Sequence, residues 1–474
     1  MKPFDHKTYQ DIPLHKTLHL IGIGGSGMSA LAKIALEKGY KVTGSELKET
    51  IATIKLKDNG ATVFLKHKAS NLRKADVVVV SSAIPEDNIE VVAAKKDNIP
   101  ILKRAELLQI LMMPHPKKLC VAGTHGKTTT SSMMTRVLDA AHMSPTFVIG
   151  GELKNYGFNS ALGTGDYFVA EADESDGSFL YLTPDIGILT NIECEHLDFY
   201  KSITNIKDHF LTFMTRILAK NGHLILNADD PIIQQIAPAS AHIIWYGINS
   251  PAKIMAKNIT CSEEGTQFVL YIDNQNHGEI TLTVYGHHNV ANALAVIACA
   301  LSQDIPLDAI KAGLYDFLGT KRRFQFIGTH HDIKIYDDYG HHPTEIKATL
   351  DGARASFDAR IICIFQPHRY TRTRDLLDLF SDAFSSADKV IITEVYAANE
   401  EKIYNVSGKS IVEKMIQKGI KTVKFVKKKS DIPTLLLPDL RPGDLIITMG
   451  AGDIHTCAKE ILAQLSTSKE SRHS

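Results

Sequence analysis

Three stretches of the chain share one pattern, in which an apolar strand leads through a glycine-bearing turn into a helix. In the first stretch the pattern predicts a strand at residues 17–23, a turn at 24–27 and a helix from about 28 to 38. The apolar positions on one face of this helix are Met28, Leu31, Ile34 and Ala35. Repeated strand–turn–helix units are typical of α/β folds with parallel sheets.

The same pattern begins again after a segment with two prolines at residues 112–116, which we interpret as a linker. A strand at 119–122 and a turn at 123–126 lead into a helix that begins near Lys127. Farther on, residues 241–284 alternate short apolar runs with turn residues, and they predict extra strands in this middle unit.

A third unit begins near residue 320 and contains predicted strands at 361–365 and 444–449. Composition changes this picture little. Hydrophobic residues make up 44% of the 474 residues, which allows a packed core in each unit, and 53 basic residues balance 53 acidic ones. Neither a nucleic-acid nor a membrane-surface role therefore has electrostatic support at the level of the chain.

The location of the protein is predicted from what its sequence contains. The six cysteines show no zinc-type spacing, as expected for a reducing compartment. Residues 1–16 carry no hydrophobic signal segment, and the apolar runs are too short to span a bilayer. We expect a cytoplasmic protein that binds neither nucleic acid nor membrane.

A phosphate-binding loop is predicted at residues 123–128, Gly-Thr-His-Gly-Lys-Thr, between an apolar strand and a helix. Glycines let backbone N–H groups approach phosphate oxygens, and the helix N-terminus adds partial positive charge. Lys127 can reach the outer phosphates, and the Thr128 hydroxyl can bind Mg²⁺. Val121 stands where the strict eight-residue motif has glycine, so an ordinary strand-to-helix turn is the alternative.

Two acidic segments follow predicted buried strands. Residues 171–176, Glu-Ala-Asp-Glu-Ser-Asp, come after the apolar run 167–170, and residues 190–198 come after 186–189. Ligand chemistry in α/β folds lies at such strand ends, and carboxylates there suit a hard cation beside ATP. A solvated acidic loop is the alternative for the first segment, and a structural role is the alternative for His196 in the second.

The first glycine turn, residues 22–27, matches G-x-G-x-x-G, with Glu46 about twenty residues later. The motif predicts a diphosphate on a helix N-terminus, which a UDP diphosphate satisfies as well as NAD does. A tight turn without a ligand also fits. The fold class predicted from all three units is α/β with three domains: a Rossmann-like N-terminal domain (1–113), a central P-loop-type ATPase domain (114–319) and a C-terminal Rossmann-like α/β domain (320–474).

The third unit concentrates Arg, His and Tyr after predicted strands, at residues 337–345 and 366–374. The planar fork of arginine suits carboxylates and phosphates, although a solvated basic loop is the alternative. Arg322 and Arg323, near the domain junction, are candidate phosphate contacts. Asn289 precedes an apolar helical run and is either a helix N-cap or a nucleotide contact.

In this order the motifs resemble the Mur ligase family, and within it the alanine-adding type. The segments that carry the resemblance are 123–128, 171–179 (Glu-Ala-Asp-Glu-Ser-Asp-Gly-Ser-Phe), 338–345 (Asp-Tyr-Gly-His-His-Pro-Thr-Glu) and 366–372 (Gln-Pro-His-Arg-Tyr-Thr-Arg). The resemblance implies an ATP-dependent ligase that phosphorylates the lactyl carboxylate of UDP-N-acetylmuramate. The resulting acyl phosphate is then attacked by L-alanine, in peptidoglycan precursor synthesis. It also implies Mg²⁺, and we expect a monomer or a homodimer.

The resemblance further implies roles for individual residues. The catalytic group is Lys127, His196, His341, Arg369 and Arg372. The ATP contacts are Gly123, Thr124, His125, Gly126, Lys127, Thr128, Thr129, Asn289, Arg322 and Arg323. The metal ligands are Thr128, Glu171 and His196. The UDP-sugar contacts are Gly24, Gly25, Ser26, Gly27, Ser45, Ser82 and Arg104. The amino-acid contacts are Tyr339, His341, His368, Arg369 and Arg372, and His341 and His368 are the candidate bases for the incoming ammonium.

Three other functions remain open at this point. A recycling ligase that attaches a preformed peptide to the same UDP sugar shares the fold. An NAD-dependent oxidoreductase would use the first glycine turn but leaves the phosphate loop unexplained. A non-catalytic nucleotide-binding regulator would bind ATP without turnover.

Overall fold

The computed structural model describes residues 12–467, in which three sheets form. Residues 1–11 and 468–474 lie outside the described residues. They include the ends of the predicted first and third domains and most of the segment 1–16 that was predicted to carry no signal sequence. The chain divides into two compact units, one with residues up to 258, 268–281 and 291–318, and the other with 259–267, 282–290 and residues from 319.

The first sheet has five parallel strands in the order β3-β2-β1-β4-β5, the order expected for a Rossmann-type half. Its elements are β1 (Thr17–Ile21), α1 (Ser26–Glu37), β2 (Lys41–Glu46), α2 (Ile51–Asp58), β3 (Thr62–Leu65), β4 (Val77–Val80), α3 (Ile89–Lys96), β5 (Ile101–Lys103) and α4 (Arg104–Met112).

The two central strands of this sheet, β1 and β4, are covered on both faces and are buried along nearly their whole length. Leu18 and Leu20 of β1 pack into one buried cluster, and Ile21 packs into another with Val78. Helix α1 begins at Ser26, two residues earlier than predicted. Ser26 and Gly27 therefore lie in its first turn and not before it.

The second sheet has ten strands in the order β15-β14-β13-β12-β11-β10-β6-β9-β7-β8, and the extra strands predicted at 241–284 are present. Its elements up to β12 are β6 (Lys117–Ala122), α5 (Lys127–Ala140), β7 (Thr146–Leu153), β8 (Phe158–Ala161), β9 (Tyr167–Glu171), β10 (Ile186–Leu189), α6 (Leu197–Tyr200), α7 (Ile203–Leu218), β11 (His223–Asn227), α8 (Pro231–Ile236) and β12 (Ile243–Gly247). They are followed by β13 (Ile254–Ser262), β14 (Gly265–Ile272), β15 (Gln275–Leu282), α9 (His287–Leu301) and α10 (Leu307–Tyr315).

The third sheet has six strands in the order β16-β17-β21-β18-β19-β20, with only β16 antiparallel to its neighbour. Its elements are β16 (Gln325–His330), β17 (Ile333–Asp338), α11 (Pro343–Ser356), β18 (Arg360–Phe365), α12 (Tyr370–Asp375), α13 (Leu377–Asp382), β19 (Lys389–Ile392), α14 (Gly408–Gln417), β20 (Val423–Phe425), α15 (Ile432–Leu436), β21 (Asp444–Met449) and α16 (His455–Thr467).

Alternation along β18 shows how this sheet sits between two layers. Ile361, Cys363 and Phe365 enter one buried cluster, whereas Ile362 and Ile364 enter the other. The predicted α/β class is thus confirmed. Within the described range, no helix is both long enough and apolar enough to cross a membrane.

Candidate functional site

The turn between β6 and α5 needs glycine at two positions. Gly123 has φ 134° and Gly126 has φ 85°, backbone angles that favour glycine. A Cβ on Gly123 would lie 2.1 Å from Thr190 Oγ1, and one on Gly126 would lie 2.6 Å from Asn292 Oδ1. The residue that caps α5 is Gly126, which has no side chain to accept a hydrogen bond from the first N–H groups of the helix, so these N–H groups suit an anion.

The end of β10 holds this turn in place. The Asn191 side chain accepts from His125 N (2.8 Å) and donates to His125 O (3.1 Å). Thr190 Oγ1 donates to the same carbonyl at 2.6 Å, and Thr124 Oγ1 accepts from Glu193 N at 2.8 Å. The loop that would carry phosphate is therefore fixed by the second acidic segment.

Lys127 is partly buried at the base of the loop. Its Nζ donates to Gly123 O (2.5 Å) and Thr124 O (3.0 Å), and it lies 2.8 Å from Glu174 Oε2. Burial alone would lower the pKa of Lys127, but Glu174 and the neighbouring acids raise it, so the ammonium stays charged. A charged lysine aimed into a phosphate loop is suited to bind phosphoryl oxygens.

Glu171 lies at the end of β9 and faces the same loop. It accepts from Gly150 N at 2.6 Å and is hydrogen-bonded to the Thr128 side chain. Burial raises its pKa, and burial also raises the pKa of Glu174 to about 7. Together with Asp173, these residues place three carboxylates beside two cationic side chains, Lys127 and Arg104.

His196 lies within the same acidic surroundings. Its Nε2 is 3.9 Å from Glu174 Oε1 and 3.7 Å from Glu195 Oε2. Its backbone has φ 55°, which is uncommon for a residue with a side chain. An imidazole beside carboxylates fits a divalent cation.

Arg104, the first residue of α4, connects the first glycine turn to the acidic cluster. Its Nη2 donates to Asp173 Oδ2 at 3.0 Å. A Cβ on Gly27 would lie 3.1 Å from Arg104 Cδ, so the arginine lies against the first turn of α1. Arg104 and Asp173 thus join two predicted sites within one compact unit.

The first glycine turn is organised by the end of β2. Gly22 N and Ile23 N donate to Ser45 O at 2.9 and 3.1 Å. Glu46 accepts from Gly24 N at 3.0 Å and Leu47 N at 2.8 Å. Glu46, the acid that a dinucleotide site would require for ribose, is therefore occupied by backbone N–H groups.

The other predicted UDP-sugar contacts lie in different surroundings. Ser26 Oγ donates to Gly150 O at 3.0 Å, and Gly25 caps α1. The Ser45 hydroxyl is fully buried and donates to Glu90 at 2.5 Å, so its oxygen is committed to the interior. Ser82 is exposed in the turn after β4.

In the second compact unit, two arginines flank Tyr339. Arg322 Nε donates to Asp337 Oδ2 at 3.1 Å, and Arg323 Nη1 donates to Glu345 Oε1 at 3.2 Å. Their guanidinium carbons lie 5.0 and 5.4 Å from the Tyr339 ring centre. Asp337 and Asp338 were predicted to follow the strand, but both pair with β21, so β17 runs through Asp338.

The predicted amino-acid contacts His341 and His368 lie together. Their ring centres are 5.7 Å apart, and Arg372 Nη1 donates to His368 O at 3.3 Å. Burial, with His341 and the arginines, lowers the pKa of His368 to about 3. A neutral, weakly basic His368 is the poorer of the two candidate bases.

Asn289 corrects one expectation. Helix α9 begins at His287 because Gly286, with φ 90°, turns the chain just before it. Asn289 is thus inside the helix, donates to Tyr285 O at 2.8 Å, and is not its N-cap. Thr129 lies half-buried in the first turn of α5.

Four residues in these contacts were not assigned from the sequence. Asn292 could have been found three residues after Asn289, since that spacing places both side chains on one face of α9, whereas no such spacing indicates Glu345, because His341 precedes α11. The four are Glu174, Asn191, Asn292 and Glu345.

Three family models match the chain in succession. Their descriptions are Mur ligase family, catalytic domain, at residues 17–115; Mur ligase middle domain, at 121–300; and Mur ligase, glutamate ligase domain, at 322–452. The three models match successive parts of the chain without overlap.

Three ligases are similar to this chain over nearly their whole length. The UDP-N-acetylmuramate–L-alanine ligase of Myxococcus xanthus is 45% identical, with 95% of each chain covered. The crystal structure of a UDP-N-acetylmuramate–alanine ligase from Thermotoga maritima has a TM-score of 0.82 at 30% identity, covering 96% of this chain and 100% of that one. A murein peptide ligase from Psychrobacter arcticus has a TM-score of 0.70 at 26% identity, covering 95% and 99%.

Proposed function

We propose that this chain, which belongs to the Mur ligase family, joins L-alanine to the lactyl carboxylate of UDP-N-acetylmuramate and converts ATP to ADP and phosphate. The observation that carries the proposal is the phosphate loop, where Lys127 lies 2.8 Å from Glu174 and the loop glycines leave no room for side chains. The similarity to the Myxococcus xanthus ligase supports the choice of substrates.

The chemistry requires an activated carboxylate. A carboxylate is a poor electrophile, so the γ-phosphate of ATP is first transferred to it and gives an acyl phosphate. The amine of L-alanine attacks the acyl carbon, phosphate leaves, and an amide forms. Lys127 and the N–H groups at the start of α5 hold the transferring phosphoryl oxygens. The remaining ATP contacts we propose are Gly123, Thr124, His125, Gly126, Thr128, Thr129, Asn289, Arg322 and Arg323.

The acidic cluster fits Mg²⁺. Three carboxylates, Glu171, Asp173 and Glu174, face Lys127 and Arg104, and the excess negative charge in a buried place favours a bound cation. Thr128 and Glu171, whose side chains are hydrogen-bonded, would hold one ion, and His196 would hold a second. Bound Mg²⁺ would neutralise charge on the phosphoryl group.

The UDP sugar is proposed to bind at the first glycine turn. Its diphosphate would lie on the N-terminus of α1. Arg104 lies against this turn and reaches Asp173, so it links the sugar site to the acids around Lys127. The contacts we propose are Gly24, Gly25, Ser26, Gly27, Ser45, Ser82 and Arg104, with the hydroxyl of Ser45 committed to Glu90.

The amino acid is proposed to bind in the second compact unit. Arg369 and Arg372 are suited to its carboxylate, and Tyr339, His341 and His368 line the same place. His341 is the better candidate to take the ammonium proton, because the pKa of His368 is lowered to about 3. The proposal also includes the domain limits 1–113, 114–319 and 320–474, a monomer or homodimer, and a cytoplasmic location.

A recycling ligase for preformed peptides is the second candidate. It has support from the similarity to the murein peptide ligase, but that structure matches less closely than the alanine ligase, with TM-scores of 0.70 and 0.82. The occupied Glu46 gives an NAD enzyme no support.

Phosphate release tests these alternatives. Purified protein with UDP-N-acetylmuramate, ATP and Mg²⁺ would be given L-alanine, glycine, L-serine or the tripeptide in turn. We expect release with L-alanine and formation of the amide by mass spectrometry. Release with the tripeptide alone would favour the recycling ligase, and ATP binding without turnover in any mixture would favour a regulator.

A further inference from the structure

Tyr396 lies in the connection after β19 and pairs with the arginine-rich segment. Tyr396 and His368 form an isolated parallel bridge. Tyr396 N donates to Pro367 O at 2.8 Å, and Tyr396 O accepts from Arg369 N at 2.9 Å. The backbone of Tyr396 is therefore hydrogen-bonded to the residues before and after His368.

The Tyr396 ring stacks on the imidazole of His368. The ring centres are 5.7 Å apart and the planes differ by 8°. His341 approaches the same imidazole edge-on at 5.7 Å. The orientation of His368 is thus set between two rings, one of which belongs to a residue with no proposed substrate contact.

The backbone conformation of Arg369 needs to be held by neighbouring residues. Its φ is 71°, a left-handed value that costs energy for a residue with a side chain and persists only when neighbours hold it. The N–H of Arg369 is held by Tyr396 O. The angle redirects the chain just before α12, which carries Arg372.

The Tyr396 ring is confined although it is 39% exposed. A Cβ on Gly452 would lie 2.7 Å from Tyr396 Cγ and 2.5 Å from Gln366 Oε1. The backbone of Gly452 therefore lies directly against the ring. A half-exposed aromatic ring in such a confined place is suited to positioning rather than to filling a core.

We infer that Tyr396 is a positioning residue of the amino-acid site, which fixes the His368 ring by stacking and the Arg369 backbone by a hydrogen bond. The inference rests on the proposed function, since it takes His368 and Arg369 as contacts of L-alanine. Tyr396 itself touches no reacting atom in this scheme. The hydrogen bond comes from the main-chain carbonyl and is kept in any substitution. Loss of the ring alone should therefore weaken the use of L-alanine and leave ATP and the UDP sugar bound as before.

The test compares steady-state constants for all three substrates in Tyr396→Leu and Tyr396→Phe. Phenylalanine keeps the ring, so it should retain wild-type constants. Leucine removes the ring, and we expect the KM for L-alanine to rise about three- to tenfold, the range that an aromatic pair contributes, with the other two KM values within about twofold. Tyr404→Leu is the matched control, because Tyr404 is in the same connection and 88% exposed.

Gly452→Ala provides a second, independent variant, since its methyl group would displace the Tyr396 ring. It should raise the KM for L-alanine and leave the other two KM values unchanged, and the melting temperature is measured alongside, because the same methyl group would also approach Gln366 Oε1. Equal changes in all three KM values, or equal impairment in Tyr396→Phe and Tyr396→Leu, would overturn the positioning role. If the wild-type protein releases no phosphate with L-alanine, the proposed function is wrong and the inference is wrong with it. If the wild-type protein is active but the variants do not raise the KM for L-alanine selectively, only the positioning role is wrong.

Discussion

Glu90→Gln is expected to destabilise the protein in a pH-dependent way. The Glu90 side chain is fully buried on α3. It accepts hydrogen bonds from Ser45 Oγ at 2.5 Å and Asn71 Nδ2 at 2.7 Å, and His67 Nδ1 lies at 3.0 Å. The carboxylate therefore ties the end of β2 to the connection after β3. Glutamine has nearly the same shape but presents an NH₂ group to one of these donors.

The size of the effect follows from the pKa of Glu90. Burial alone would raise that pKa, but His19, whose Nε2 lies 3.6 Å from the carboxylate, and the hydrogen bonds from Ser45 and Asn71 lower it to about 2, against an ordinary value of 4.5. A drop of that size corresponds to roughly 3 kcal/mol in favour of the folded state. Because the folded pKa is the lower one, this stabilisation is complete above about pH 4.5 and is lost as the pH falls towards 2.

The assay is equilibrium unfolding in urea of the full chain, followed by the fluorescence of Trp245, which lies in the same compact unit as Glu90. The difference in the free energy of unfolding between wild type and Glu90→Gln should be about 3 kcal/mol at pH 7 and should shrink below pH 4.5. Glu86→Gln is the matched control, since the Glu86 side chain is 95% exposed. A difference that is the same at pH 7 and pH 3 would refute the reasoning.

Three further predictions concern the proposed site. Lys127→Met should lower the rate of phosphate release by about 10²–10³-fold or more, because a preorganised charge at the transferring phosphoryl group is lost; a near-normal rate would contradict its role. Gly126→Ala should weaken binding of a non-hydrolysable ATP analogue at least about tenfold by calorimetry, since φ 85° and Asn292 Oδ1 at 2.6 Å both oppose a methyl group; unchanged affinity would argue against the loop. Arg104→Gln should raise the KM for the UDP sugar more than that for L-alanine, because Arg104 lies against Gly27, and equal effects on both would contradict the assignment.

Much of the fold was predictable because strand periodicity and glycine turns are local signals. The bounds of the turn at residues 123–126 were predicted to the residue, with β6 ending at Ala122 and α5 beginning at Lys127. The start of α9 was misplaced, since Gly286 and not the polar side chain of Asn289 sets where that helix begins. Periodicity carries no information on such a turn.

The partners of the site residues were not predictable, because they come from distant parts of the chain. The pairing of Asn191 with His125 joins residues 66 apart, and that of Arg104 with Asp173 joins residues 69 apart. The family resemblance implied that Ser45 contacts the UDP sugar, but nothing in the sequence indicated that its hydroxyl is buried against Glu90, 45 residues away. Spacing finds residues that share an element, and only tertiary packing decides which elements meet.

The stretch from Thr190 to His196 contacts two parts of the site. Its first two residues hydrogen-bond to the turn before α5, and its last residue lies near Glu174. An insertion or deletion of one residue here would displace the contacts to the turn and the contact to Glu174 at the same time. A point substitution elsewhere does not change the number of residues between them and so cannot restore both. The hairpin turn at Asp273 and Asn274, with φ 47° and 64°, carries no such double role. Tags or reporter loops should therefore be placed at that hairpin, and libraries that vary chain length should leave residues 190–196 intact.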